Sequence, residues 1–164
     1  MPLYAIVEKL ALSLIYGDET EEMTKMVDSL CTYVEQAAYA AFERAVYQLH
    51  PNDLTGERII ALFEEITNQY GFDLWESTGS DFVTIPHFFT EPLYVFSYVV
   101  SNDAAMQLYQ KEVETPGSGL EMYESSLTST ETDFLAFLAS AGLHSPFTHG
   151  RLTEVRATFE AILG

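Results

Sequence analysis

The sequence has 164 residues, of which 48% are hydrophobic and 20% charged, so intrinsic disorder is excluded because the chain has enough apolar side chains to build a core. It carries 7 Lys and Arg against 25 Asp and Glu, and a formal charge of -18 excludes nucleic acid as a partner and disfavours an anionic membrane surface. We therefore expect a single folded domain over residues 1–164 that binds neither nucleic acid nor membrane.

The first predicted elements are helices. Apolar residues recur at helical spacing from Ile6 to Ile15, where a first helix is expected to end before Gly17. The strongest periodicity in the chain follows and predicts one long, central helix from about Glu21 to His50. Thr55 is the expected N-cap of a third helix that closes at Tyr70-Gly71.

The stretch from Phe72 to Pro92 differs in kind, because it is rich in aromatic residues, glycine and proline and shows no helical period. We expect an aromatic-rich loop there, followed by a helix from about Leu93 towards Glu112. Three shorter helices are predicted to cover Leu120 to Leu127, Glu131 to Ala141 with Ser129 or Thr130 as N-cap, and Leu152 to Leu163. No strand alternation competes with these helices, so the predicted fold class is all-α.

The number of cysteines and the length of the apolar segments indicate the cellular compartment of the protein. Cys31 is the sole cysteine, which excludes an intrachain disulfide, a cysteine zinc cluster and a CxxC redox pair. The apolar opening segment lacks a basic n-region and a small-residue cleavage site, and no apolar run reaches the roughly 18 residues that span a bilayer. We therefore expect a cytoplasmic protein.

The sequence contains no complete catalytic motif. Its histidines do not form an HExxH pair, and His144 and His149 flank a proline that makes a shared helical face unfavourable. Gly117-Ser-Gly119 lacks the GK[ST] continuation of a phosphate-binding loop and is interpreted as a turn. We therefore expect no metal site in this chain.

One group of polar aromatic residues remains as a candidate site, at the junction between the aromatic loop and the following helix. Tyr94 and Tyr98 are four residues apart and can share a helix face, while His87 lies on the entering loop and can point towards the same space. Imidazole and phenol groups are donors that can stabilise a developing oxyanion. Tyrosines at helical spacing in an aromatic-rich core are also common packing residues, and the spacing alone leaves both interpretations open.

The segment that contains these three residues resembles part of a known protein family. The segment Ile85 to Ser101, IPHFFTEPLYVFSYVVS, followed by NDAAMQL, resembles the C-terminal signature of the oligoendopeptidase F branch of thimet-oligopeptidase-type zinc metallopeptidases. Three further segments support it: FERA from Phe42, LFEE from Leu62 and FLASAGLHSPF from Phe137. The resemblance is clear from about residue 40 onward.

The resemblance implies an all-α fold around a peptidase cleft that acts on short peptides, with zinc held by HExxH and a downstream Glu. In that family a loop His and tyrosines of the next helix contact substrate and stabilise the tetrahedral intermediate. By this comparison His87 and Tyr98 are implied as catalytic residues, and His87, Tyr94 and Tyr98 as substrate-binding residues.

The departure from the family is the absence of the zinc-binding motif. Glu8 does not replace it, because no paired histidines accompany this residue. Without zinc the chain is expected to be inactive alone, with zinc present only in a complete family member. The chain would then be a C-terminal piece of a longer enzyme, one half of a split enzyme or a free-standing derivative. Removal of the zinc-bearing part would uncover an apolar face on the central helices, so we expect a zinc-bearing partner chain or a homo-oligomer. The alternative is a non-catalytic helical module that binds peptides or a protein.

Overall fold

The computed structural model describes residues 19–75 and 77–163. This part of the chain contains seven α-helices and no strand, which confirms the all-α prediction. The helices are α1 (Glu19–Tyr47), α2 (Gly56–Gln69), α3 (His87–Thr90), α4 (Val95–Glu114), α5 (Ser118–Ser126), α6 (Phe134–Ser140) and α7 (Arg151–Leu163). Short 3-10 helices cover Pro51–Asp53, Phe72–Trp75 and Asp81–Thr84.

The long helix and its successor form where the periodicity predicts them. α1 has 29 residues and ends shortly before His50-Pro51. The Thr55 hydroxyl accepts a hydrogen bond from the Arg58 N–H at 3.2 Å, so Thr55 caps α2 as expected. The predicted helix from Ile6 to Ile15 lies outside the described residues.

Three predicted boundaries need correction. The aromatic stretch is not a continuous loop, because two 3-10 helices and the single turn of α3 form within it, and His87 is the first residue of α3. α4 begins at Val95, so Tyr94 lies just before the helix. The N-cap of α6 is Asp133, whose Oδ1 accepts from the Ala136 N–H at 2.9 Å, and a carboxylate here also favours the positive end of the helix dipole.

The chain divides into two compact units. One comprises Cys31–Val99, and the other comprises, among the described residues, 19–30 together with 100–163. α1 and α4 each contribute residues to both units.

The Cys31–Val99 unit has an aromatic core at the end of α1 and along α2. Phe42, Leu62 and Phe63 are buried there, and the Phe42 and Phe63 rings meet edge to face with centroids 5.0 Å apart. The stretch after α2 adds Phe82 and Phe88 to this cluster. Most of the aromatic stretch therefore packs a core, because aromatic rings bury large apolar areas.

The other unit has a core of aliphatic residues from α4, α6 and the turn after α6. Ala105, Leu108, Leu138 and Leu143 are buried together. Beside the apolar residues of α4 lies a buried ion pair in which Arg151 Nε donates to Asp103 Oδ1 at 2.9 Å. Among the helices that the structure describes, none is long and apolar enough to cross a bilayer.

Candidate functional site

A single helical turn, α3, positions His87. Pro86 precedes this turn, and its fixed φ is compatible with the start of a helix. The next residue, Phe88, packs its ring 5.2 Å from Phe42 and 5.6 Å from Tyr39. Because Phe88 is anchored in the aromatic core, the adjacent His87 is held in a defined place at the edge of that core.

The segment between α3 and α4 is a tight turn. The Tyr94 N–H donates to the Glu91 carbonyl oxygen at 3.1 Å, Pro92 occupies the second position, and Leu93 occupies the third with φ of +65°. These are the features of a type II turn, whose third position normally requires glycine. Within the described residues Leu93 is the one residue other than glycine that has a positive φ.

This turn brings the three predicted residues together. The His87 and Tyr94 rings are stacked, with centroids 5.5 Å apart and planes 5° from parallel. The Tyr98 ring stands nearly perpendicular to both, at 5.7 Å from His87 and 5.4 Å from Tyr94. All three side chains are partly buried, so each has some surface open to a ligand. We call these three residues the ring cluster.

Tyr98 and His87 also form a polar contact within the ring cluster. The Tyr98 hydroxyl lies 3.4 Å from His87 Nε2, and the donor depends on the imidazole tautomer. This distance is longer than most O–H···N or N–H···O bonds, so the contact is weak.

The environment keeps Tyr98 protonated. Partial burial raises the pKa of its phenol, and the nearby Tyr94 and Glu91 raise it further because they disfavour a negative charge. The ordinary value is already about 10. Tyr98 therefore remains a hydrogen-bond donor throughout the neutral range.

A buried carboxylate supports the turn that precedes Tyr94. Glu43 on α1 is 4% exposed, and its Oε1 accepts the Leu93 N–H at 2.8 Å. Its Oε2 is buried and has no hydrogen-bond partner. Leaving a buried acceptor unpaired is costly, so this side chain stands out from the surrounding aromatic residues.

The same region contains a small apolar pocket of about 120 Å³. It is lined by Phe42, Glu43, Val46, Tyr47, Ile59, Phe82, Phe88 and Phe89. Phe89, one of these lining residues, is 62% exposed. The pocket can accept an apolar side chain. Two of its lining residues, Phe88 and Phe89, directly follow His87 in α3.

Sequence reasoning identified the ring cluster and missed Glu43. A signal was present, because Tyr39, Phe42, Glu43 and Val46 follow the three-then-four spacing of a buried helix face. A glutamate in that register is unusual, since acidic residues are almost never fully buried without a partner.

The other three histidines, His50, His144 and His149, do not belong to the ring cluster. His50 Nδ1 accepts from the Asn52 N–H at 3.2 Å and caps a 3-10 helix. His144 and His149 lie outside helices, and His144 is 3.9 Å from the exposed Glu154. Within residues 19–75 and 77–163 no group of three His, Cys, Asp or Glu side chains could hold a metal ion, so these residues do not fit zinc.

The fold and the ring cluster define a helical protein with hydrogen-bond donors next to an apolar pocket. The chain superimposes on part of a protein solved by X-ray crystallography and described as "putative Oligoendopeptidase F", with a TM-score of 0.73, 21% identity and 94% of this chain covered. This likeness confirms the expected fold, and the chain spans 29% of the length of that protein. No protein-family model matches the sequence, and no curated protein matches it.

Proposed function

We propose that this chain is the C-terminal portion of an oligoendopeptidase-like zinc metallopeptidase that hydrolyses short peptides. In this proposal His87 and Tyr98 stabilise the transition state, and His87, Tyr94 and Tyr98 bind substrate. The observation that carries the proposal is the ring cluster itself: three polar aromatic side chains in mutual contact. They lie in a chain that shares its fold with part of a protein described as an oligoendopeptidase.

The chemistry of the proposal is hydrogen-bond donation to a developing oxyanion. Tyr98 Oη can donate across the neutral range, and His87 Nε2 can donate in the tautomer that carries its proton there. The 3.4 Å between these atoms lets one oxygen atom accept from both. Tyr94 packs against both rings and limits their rotation, so the donors would be preorganised.

The zinc of such an enzyme is not provided by the described residues, and the sequence contains no HExxH. The proposal therefore assigns the zinc ligands to a zinc-bearing partner chain or a further segment. It also predicts that this chain alone does not hydrolyse peptides. A second copy of the chain is the other partner we propose, and a cytoplasmic location agrees with the single Cys31, which is exposed and unpaired.

The test is a chimera in which this chain replaces the segment it matches in the oligoendopeptidase F. Hydrolysis of a short internally quenched fluorescent peptide is measured with zinc present, for the chimera and for the isolated chain. We expect turnover by the chimera and none by the isolated chain. Tyr98→Phe and His87→Ala should each lower kcat by about 10²- to 10³-fold while changing KM much less.

Tyr70→Phe is the matched control, because Tyr70 belongs to the same unit, lies outside the ring cluster and is 37% exposed. It should leave kcat unchanged. A folded chimera whose kcat is unaffected by Tyr98→Phe and His87→Ala would contradict the proposed roles. If the chimera does not fold by circular dichroism, the isolated chain is titrated with the same peptide, and unchanged NMR signals of His87 would also count against the proposal.

A non-catalytic peptide- or protein-binding module is the second candidate. The apolar pocket beside α3 favours it, because the exposed Phe89 offers a surface to a partner without requiring any reaction. The chimera distinguishes the two functions. Peptide binding by the isolated chain together with a folded but inactive chimera would support the module.

A further inference from the structure

We propose that Glu43 is a positioning residue that fixes the geometry of the ring cluster by holding the Leu93 turn. This inference deepens the proposed function and rests on it for its catalytic meaning. Its structural content, that Glu43 controls how His87, Tyr94 and Tyr98 are arranged, can be tested without any activity.

The turn is unfavourable on its own. Leu93 has φ of +65° at a position where a type II turn normally has glycine, and a side chain with a Cβ resists this conformation. Its side chain is 57% exposed, so packing of the leucine does little to hold the backbone there. Strained backbone persists only when the surrounding structure holds it in place.

Glu43 supplies a contact of that kind. Its Oε1 accepts the Leu93 N–H at 2.8 Å, across 50 positions of sequence, from a side chain that is 4% exposed. A hydrogen bond accepted by a carboxylate is stronger than one between neutral groups. The bond ties the strained residue directly to α1, whose end forms part of the aromatic core.

The position of Leu93 links this contact to the candidate site. Tyr94 follows immediately, and its ring contacts both His87 and Tyr98. The same turn joins α3, which begins with His87, to α4, which carries Tyr98. A change in φ at Leu93 would therefore rotate Tyr94 and move α3 relative to α4.

Stability alone does not explain a glutamate at position 43. It occupies an apolar register on α1, and its Oε2 is buried without a hydrogen-bond partner. An apolar residue would fill this place without an unpaired acceptor. A need for Oε1 to hold the turn explains why a carboxylate occupies this position.

The first experiment uses the isolated full chain and NMR contacts between the rings. Glu43→Leu keeps the volume but removes the acceptor, so the contacts of the His87 ring with Tyr94 and Tyr98 should weaken. Glu43→Gln retains an acceptor for the Leu93 N–H and should preserve the wild-type contacts. Glu64→Leu changes an exposed glutamate of the same unit and is the matched control.

A second substitution tests the role of strain. Glycine adopts a positive φ without the steric cost of leucine, so Leu93→Gly in the Glu43→Leu background should restore part of the ring contacts. Failure of Glu43→Leu to change the contacts would overturn the inference, as would equal loss in Glu43→Gln. If Glu43→Leu does not fold, Glu43→Asp withdraws the carboxylate by one methylene and should produce the same weakening; unchanged contacts in that variant would also overturn it.

The peptidase chimera separates this inference from the proposed function. There Glu43→Leu should lower kcat by about 10- to 100-fold with little change in KM, and Glu43→Gln should recover most of the loss, because misplacing catalytic groups by about 1 Å can cost that much. Altered ring contacts with unchanged kcat would support positioning by Glu43 and contradict the proposed function. Unchanged ring contacts would contradict positioning whatever the kinetics show.

Discussion

Replacing Arg151 with methionine should destabilise the Val100-onward unit strongly, because it leaves a buried carboxylate without its charge partner. Asp103 is 0% exposed, and its Oδ1 accepts from Arg151 Nε at 2.9 Å. Its Oδ2 accepts from Gln107 Nε2, also at 2.9 Å, and this bond would remain. Breaking a buried ion pair by removing one partner costs about 3–5 kcal/mol, and the remaining Gln107 bond places the expected loss at the lower end of that range.

The loss should depend on pH with a defined sign. Burial raises the pKa of Asp103 above 3.8, although Arg151 and Gln107 act in the opposite direction. Removing Arg151 raises this pKa further. A group whose pKa is raised on folding contributes stability fully below its unfolded pKa and loses that contribution as pH rises through the folded pKa. Within this window the free energy of unfolding should fall by up to about 1.4 kcal/mol per pH unit.

The assay is urea denaturation followed by far-UV circular dichroism at pH 4, just above the unfolded pKa, and at pH 7. Arg151→Met should lose less stability at pH 4 than at pH 7, and the double variant Asp103→Asn with Arg151→Met should recover most of the loss. Arg156→Met is the matched control on the same helix, because Arg156 pairs with Glu160 on the surface and should cost about 0–1 kcal/mol. A loss below about 1 kcal/mol for Arg151→Met at pH 7, or equal losses at both pH values, would refute the reasoning.

Three further predictions use simpler changes. Phe63→Ala removes a ring that is 1% exposed at the centre of the aromatic core, so urea denaturation should show a loss of about 3–5 kcal/mol; a loss under 1 kcal/mol would mean that the core is not packed there. Gly119→Ala should destabilise α5 by about 1–3 kcal/mol in the same assay, despite the better helix propensity of alanine, because the added Cβ would overlap the Leu108 carbonyl oxygen. Hydrogen bonds from the Thr78 N–H and hydroxyl lower the pKa of Asp81 below 3.8, so its stabilisation is present above that pH and lost as pH falls through the folded pKa. NMR titration of the Asp81 carboxyl should give a midpoint below 3.8, and a midpoint at or above this value would contradict the prediction.

Local sequence signals were sufficient for most of the helices. α1 follows directly from the three-then-four spacing of its apolar residues, and the Thr55 cap follows from a hydroxyl before an amphipathic run. The same signals failed between Phe72 and Pro92. Helical turns of four residues show no periodicity, so α3 and the 3-10 helices could be found only after Phe82 and Phe88 had packed into the core.

The candidate site, too, could be predicted only in part from the sequence. His87, Tyr94 and Tyr98 were selected as residue types at a suitable spacing, and this selection did not require a structure. Their arrangement as one stacked and two perpendicular ring pairs depends on the φ of Leu93, which no spacing rule predicts for a leucine. Their roles in binding and catalysis stay predictions.

The sequence by itself determined the all-α class, the long helix and the residues from which a site could be built, because periodicity, caps and residue chemistry are local properties. Only the tertiary structure decided that Glu43 reaches the Leu93 N–H and that Asp103 pairs with Arg151. These contacts join positions 50 and 48 residues apart in the chain. A buried charge is stable only where packing brings its partner within hydrogen-bond distance, and packing depends on the whole fold.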